Sequence, residues 1–161
     1  MGTRSGSVDP GILTYHMRRG QLDGAAIDEL LNHKSGLLGI SGVSGDMREI
    51  LNAVEEGNPR AKLAFDIYIH RLCAGIGAMA AVLGGMDTLV FTAGVGENAP
   101  SVRSAACSRL EFLGLTLHQA KNARPLLDQD IATPDSAVRV LVIRAQEDWA
   151  IARECWRLRR T

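Results

Sequence analysis

The stretch Asp87-Thr-Leu-Val-Phe-Thr-Ala-Gly-Val-Gly-Glu-Asn-Ala-Pro100 carries three structural signals in succession. An acidic residue leads into a β-branched and aromatic run, Thr88 to Thr92, which predicts a buried strand. Gly94-Val95-Gly96-Glu97-Asn98 then predicts a glycine loop. A helix start follows, with Asn98 or Ser101 as candidate caps and Pro100 in the first turn. Strand, glycine loop and helix is how α/β proteins present backbone N–H groups to phosphate. Glycine lets the backbone approach the ligand, and the helix N-terminus favours negative charge. The reading is an α/β fold with a nucleotide site at this turn.

On the C-terminal side, Gly114 to Leu117 is a weak strand candidate, Val138 to Ile143 a clear buried strand, and Gln146 to Leu158 a final helix. On the N-terminal side, the most apolar stretch, Ile67 to Leu83, belongs to a helix from about Arg60. It holds His70 and Arg71 and reads as a core helix rather than a membrane span. Gly75 and Gly77 predict close packing against a neighbouring backbone, and Gly84-Gly85 ends the helix. Asp46 with Glu49 predicts a capping box opening another helix. Ser35 to Gly45 reads as a loop packed inward through Leu37, Leu38 and Ile40. Leu22 to His33 has an amphipathic helical period, and Asp9-Pro10 opens a short helix to about Arg19. Helix and strand alternate as in a parallel sheet, yet only two strands are convincing, too few for a covered parallel sheet. The chain reads as part of a domain.

Composition excludes more than it assigns. The 161 residues carry 18 Lys plus Arg and 18 Asp plus Glu, so no global field steers the chain to nucleic acid or to an anionic membrane. The basic last turn, Arg153 to Arg160, reads as cations at a helix C-terminus. Cys73, Cys107 and Cys155 lie far apart, without metal-ligand spacing, and read as buried or semi-buried thiols in a reducing cytosol. The N-terminus has no secretory h-region.

Read singly, the polar candidates stay ambiguous. Gly94-x-Gly96-x-x-Ala99 fits a dinucleotide fingerprint, but Gly114 to His118 offers no acid where that fingerprint needs one. Asp46 reads as a cap and Arg48 as a solvated charge, since residues two apart share no helix face. Glu147 is either a first-turn acid favoured by the helix dipole or a magnesium-linked carboxylate. Arg4, in the small-residue segment Gly2-Thr-Arg-Ser-Gly6, has a planar fork suited to phosphate or carboxylate. The four histidines fall on separate elements and read as packing or surface residues.

Several segments together resemble the acetate kinase family. Gly2-Thr-Arg-Ser-Gly6 with Asp9-Pro10 is similar to its GTRSGD-x-DP segment, and Lys34-Ser-Gly-Leu-Leu-Gly-Ile-Ser-Gly42 to its KSGLLG-x-SG. Ser44-Gly-Asp-Met-Arg-Glu49 resembles its S-x-DMRE, and Val90-Phe-Thr-Ala-Gly-Val-Gly-Glu-Asn98 its VFTAGIGEN. Val140 to Ile143 followed by Glu147-Asp148 resembles its closing strand and acidic end. Ser7, Gly45 and Ala145-Gln146 depart from the pattern.

The resemblance implies the C-terminal, nucleotide-binding portion of a short-chain acyl kinase spanning 1–161. Its fold would be helix-rich and partial, of the actin, Hsp70 and sugar-kinase (ribonuclease H-like) type, with a small, mainly parallel sheet. It implies ATP and Mg²⁺ as cofactors and acetate as acceptor. Arg4 would stabilise the transferring phosphoryl group; Asp46, Met47 and Arg48 would line the adenosine and phosphate site. Gly94, Val95, Gly96, Glu97 and Asn98 would form an ATP loop, and Glu147 would be the magnesium-linked carboxylate. The 148–161 segment would return to an N-terminal domain that supplies the acyl-holding groups. The family further implies a cytoplasmic homodimer. A propionate kinase portion, or an ATP-binding module without catalysis, are the alternatives. The exposed-surface expectation is specific: Trp149, Ile151 and Trp156 should present an apolar patch.

Overall fold

The computed structural model describes residues 1–125 and 128–159. The chain divides into two compact units, Met1–Gly75 and Ile76–Thr161.

The first unit holds α1 (Pro10–Arg18), α2 (Gly24–His33), α3 (Gly36–Ser41), α4 (Met47–Glu55) and the start of α5 (Pro59–Leu83). Side-chain caps set the starts. Asp9 accepts from the N–H of Gly11, Asp23 from that of Ala26, and Asp46 from that of Arg48. Asn58 Oδ1 takes the N–H groups of Arg60 and Ala61 at the head of α5. Such caps contribute about 1 kcal/mol each. Helix α3 replaces the loop expected over Ser35 to Gly45. Its glycines suggested irregular backbone, but tertiary bonds decide: Leu37 and Leu38 donate their N–H groups to the carbonyls of Met1 and Gly2. The far end of α3 is held by Arg60, whose Nε and Nη2 donate to Ile40 and Gly39. The capping box at Asp46 also takes a different form, since the Asp46 N–H donates to Ser44 Oγ. Leu37, Met47, Ile50, Ala53, Ala61, Ala64 and Ile69 form the core of this unit.

Helix α5 is not the core helix its composition suggested. Ala61, Ala64, Ile69 and Ala80 are buried, while Leu63, Met79, Val82 and Leu83 are exposed. By length and composition alone it could cross a membrane. Gly75 and Gly77 have no neighbour within 4 Å of an added Cβ, so the close backbone packing expected there is absent among the described residues. An apolar sequence states that a surface wants burial without supplying the partner.

The second unit is built on a sheet of order β1-β3-β2, with β1 Thr88–Phe91, β2 Gln129–Asp130 and β3 Arg139–Val142. β1 and β3 run parallel with Thr88 opposite Arg139 and Phe91 opposite Val142, and β2 is antiparallel to β3. The Gly114 to Leu117 candidate makes single bridges, Leu115 to Val138 and Leu117 to Ala132. After β1 come α6 (Ala93–Asn98), α7 (Pro100–Arg109), a 3₁₀ turn Glu111–Leu113 and α8 (Gln119–Ala123), and α9 (Glu147–Leu158) follows β3. Phe91, Val102, Leu110, Leu115, Ile131, Val140 and Val142 are buried together in this unit's core. β1 stands at an edge, with Val90 half exposed.

Helix α9 buries none of its residues; Trp149, Ile151 and Trp156 are all more than half exposed, as the sequence led one to expect, and Leu158 is exposed as well. Cys107 is buried and Cys73 half-buried, but Cys155, on α9, is exposed. Arg160, in the basic last turn, lies outside the described residues.

Candidate functional site

Arg4 stands on a loop whose path is fixed by backbone contacts. Ser35 donates its N–H to Thr3 O, and Ser5 donates to Leu31 O. Gly36, at φ +63°, lets three carbonyls converge. A Cβ there would lie 2.5 Å from the oxygen of Met1, 2.8 Å from that of Arg4 and 2.9 Å from that of Gly2. Only glycine combines this backbone conformation with such proximity. The same loop crosses the segment before α4, where a Cβ on Gly2 would meet Gly45 O at 2.8 Å. The Gly2–Gly45 crossing thus brings the Arg4 loop and the Asp46 segment together within the first unit. Arg4 itself is exposed and forms no ion pair or side-chain hydrogen bond among the described residues. It lines a cavity of about 480 Å³.

Asp46 and Arg48, read from the sequence as a cap and a solvated charge that share no helix face, are paired. Arg48 Nη2 lies 2.5 Å from Asp46 Oδ2, and Nε donates to both carboxylate oxygens. The face argument failed because Asp46 is the cap, outside the helix, so its side chain folds over the first turn. The Arg48 side chain, and after it the Arg48 N–H, hold the Asp46 carboxyl at about 2. The pairing pushes Arg48 upward in turn. Met47, between them, points into the core at 4% exposure.

In the second unit, Gly94 to Asn98 is not an open loop but most of α6. Ala93, at φ +60°, turns the chain from β1 into this helix, in a region that alanine adopts at some cost. Neither proposed cap, Asn98 or Ser101, serves α7. Asn98 Nδ2 donates back to Gly94 O, and α7 starts at Pro100 without a side-chain cap. Gly94, Glu97, Asn98 and Glu147 line one hollow of about 450 Å³, with Ala93, Ala145, Gln146, Asp148 and Trp149. Val95 and Gly96 are not among its lining residues. Glu97 Oε1 accepts the N–H of Ala145 at 2.8 Å, which ties α6 to the junction between β3 and α9. Glu147 and Asp148 occupy the first turn of α9.

Arg103 is the residue that sequence reading missed. It is fully buried on α7 and serves α6 from below. Nη1 donates to the carbonyls of Gly96 (2.7 Å) and Glu97 (2.8 Å); Nε and Nη2 donate to Asn122 Oδ1 and Asn122 O. Asn122 in turn donates to Pro100 O. Burial pushes the Arg103 guanidinium down, although an arginine remains charged throughout the accessible range. Its only sequence signal was an arginine amid small residues, Val102 to Ala106, which reads equally as a surface charge.

The geometry therefore comprises an exposed arginine beside a capped ion pair in one unit, and a braced turn facing an acidic helix start in the other. The model of the acetokinase family matches residues 1–153. The chain is 63% identical over 156 residues to the acetate kinase of Gloeobacter violaceus, covering 97% of this chain and 38% of that protein. It is 61% identical over 158 residues to that of Nostoc punctiforme, covering 98% and 39%. Among solved structures, Porphyromonas gingivalis acetate kinase superposes with a TM-score of 0.87 at 47% identity, over 96% of this chain and 39% of that one. A propionate kinase from Francisella tularensis gives 0.87 at 37% identity, with the same coverage of both chains. The chain thus spans about two fifths of the length of the relatives it matches and belongs to the acetokinase family.

Proposed function

We propose that these residues form part of an acetate kinase, which transfers the γ-phosphoryl group of ATP to acetate and yields ADP and acetyl phosphate. The observation that carries this reading, beyond family membership, is the second-unit hollow. It sets Gly94, Glu97 and Asn98 of α6 and Glu147 around one space, with the Glu97–Ala145 bond tying the two sides. Gly94, Val95, Gly96, Glu97 and Asn98 take the nucleotide phosphates, and Asp46, Met47 and Arg48 the adenosine and adjoining phosphate. Arg4 stabilises charge on the phosphoryl group in transit. A transition-state arginine is worth about 10³–10⁵ in rate. Its exposed, unpaired fork on a rigid loop suits that task.

Glu147, with Asp148 beside it, offers hard oxygen donors of the kind Mg²⁺ takes. Among the described residues no three acidic, histidine or cysteine side chains cluster tightly enough to cage a metal. That suits an ion held largely by nucleotide phosphates and water, with Glu147 as its protein anchor. Bound there, the ion would neutralise phosphate charge that Glu97, Glu147 and Asp148 otherwise repel.

The acyl-holding groups lie outside these 161 residues, and the exposed face of α9 and the edge of β1 await contacts with that missing N-terminal domain. The same reading makes the enzyme a cytoplasmic dimer. The test is a chimera in which this chain replaces the matching segment of the Gloeobacter violaceus acetate kinase. It should form acetyl phosphate from ATP and acetate. Arg4→Gln and Glu147→Gln should lower that rate at least a hundredfold. A folded chimera without activity would overturn the reading. Calorimetry of the chain alone with Mg-ATP addresses the second reading, a binding module without catalysis, which is favoured by a hollow contained within one unit.

A further inference from the structure

Helix α9 carries Glu147 in its first turn but buries none of its residues, and Gln146, at its N-cap, makes no side-chain cap bond. The segment before it is closely held. Three successive N–H groups after β3 each find a partner on a different segment. Ile143 donates to Phe91 O at 2.9 Å, Arg144 to Asp128 Oδ1 at 3.1 Å and Ala145 to Glu97 Oε1 at 2.8 Å. The Ala145 bond is the last of the three and lies two residues before Glu147. A charged acceptor makes it stronger than a bond between neutral groups. Its acceptor also stands on a fixed base, because the buried Arg103 guanidinium grips the carbonyl of Glu97 itself.

A carboxylate that lines a hollow for phosphates is a poor phosphate contact, since like charges repel. Glu97 has a better use within reach. It joins α6 to the head of α9 across 48 residues of chain, and both elements line that hollow. We propose that Glu97 is a positioning residue for Glu147. Its carboxylate, standing on the braced α6, holds the Ala145 N–H and so sets where α9 begins and where Glu147 stands. This deepens the phosphotransferase reading and rests on it for Glu147 as the Mg²⁺ anchor; the action of the Glu97 side chain on that residue is the addition. Loss of a group that orients a metal's protein ligand costs about 10–100-fold in metal affinity.

The test separates reach from charge with two variants of the whole chain. Glu97→Gln keeps the length and an acceptor oxygen but removes the charge. Glu97→Asp keeps the charge but falls one methylene short of Ala145. Mn²⁺ is the probe, added together with ATP and followed by NMR through the paramagnetic broadening of the Glu147 and Asp148 amides. Glu97→Asp should weaken Mn²⁺ binding about tenfold, and Glu97→Gln should stay within about threefold of the unchanged chain. Hydrogen exchange gives a second readout. The Ala145 amide should exchange about tenfold faster in Glu97→Asp, while the amides of β3 keep their protection and show the fold intact. Affinities in the reverse order would make the charge of the carboxylate, not its reach, the cause, and would overturn the proposal. So would equal affinities in all three chains, or the absence of broadening at Glu147 in the unchanged chain. Acetyl phosphate formation by the chimera is read separately. An active chimera beside any of these contrary results removes the role of Glu97 and leaves the phosphotransferase reading standing.

Discussion

The two units each present a short functional segment and hold it rigid by opposite means. In Met1–Gly75 the Arg4 loop is fastened chiefly by backbone: carbonyls of residues 1–3 take N–H groups from Ser35, Leu37 and Leu38, and the missing Cβ of Gly36 makes room, with Thr3 Oγ1 donating to Asn32 O besides. In Ile76–Thr161 the Gly94–Asn98 part of α6 is braced by side chains, chiefly the buried guanidinium of Arg103. The first device needs space and desolvates no charge. The second gathers several carbonyls onto one group but must bury a cation whose hydrogen-bond partners in the described residues are neutral oxygens. Backbone fastening is therefore intolerant of any added atom, and guanidinium bracing is intolerant of any lost donor.

The largest expected effect lies on the arginine side. Arg103→Leu would leave the carbonyls of Gly96, Glu97 and Asn122 and the amide oxygen of Asn122 without these donors, inside a packed core. The expected loss is about 3–5 kcal/mol, measured as a shift of the urea midpoint. Arg103→Lys should recover little, because a single ammonium cannot reach carbonyls spread across the fork. If lysine restored stability, charge rather than fork geometry would be the brace.

On the glycine side, Gly36→Ala forces a side chain into φ +63° and against three carbonyl oxygens. The expected loss is about 2–3 kcal/mol in the same measurement. Gly20→Ala serves as a control, since it shares a positive φ but has open space around it. It should cost about 1 kcal/mol, the conformational part alone. Equal losses at the two positions would show that the crowding at Gly36 contributes nothing.

These devices differ in how plainly a sequence displays them. Strands 88–91 and 139–142 follow from β-branched runs, because side-chain period is local, whereas the glycine run after the first strand proved to be helix α6 rather than a loop. Asp46 as a cap is local too. Its pairing with Arg48 was hidden because the helix-face rule applies only inside the helix. Helix α3 was hidden because the groups that satisfy its first N–H donors come from residues 1 and 2, far away in sequence. Arg103 left no trace, since an arginine on a short helix reads as solvated until its burial is known. Helix α5 misled in the other direction: apolar content predicted burial that this chain alone does not provide. The site residues themselves came from motif resemblance, which spacing and periodicity could not have supplied.

A smaller effect is expected where the second unit links its turn to α9. Glu97→Gln keeps an acceptor for the Ala145 N–H but removes its charge. The cost should be about 1 kcal/mol in stability, since a bond to a charged acceptor exceeds a neutral one by roughly that much. The brace by Arg103 grips the carbonyl of residue 97 rather than its side chain, so losses from Glu97→Gln and Arg103→Leu should nearly add. Strong non-additivity would mean that the two bonds hold the turn as one unit.

The smallest effect contrasts the exposed ion pair of the first unit with the buried cation of the second. Asp46 sits at about 2 because the Arg48 side chain and then its N–H both favour the carboxylate. A folded-state value below the unfolded one means that the cap's stabilisation is complete above about pH 4 and is lost as pH falls through 2. Between pH 5 and 8 the capped helix should show no dependence on this group. A carboxyl ¹³C titration should place the Asp46 midpoint near 2, and Arg48→Gln should raise it without fully restoring the ordinary value, since the backbone N–H still donates. Arg103 has no comparable titration in this range, because its charge is fixed and its partners are neutral. If the midpoint stayed at 2 without the Arg48 guanidinium, the cap bond alone would set it, and the exposed pair would be an incidental contact of two solvated side chains.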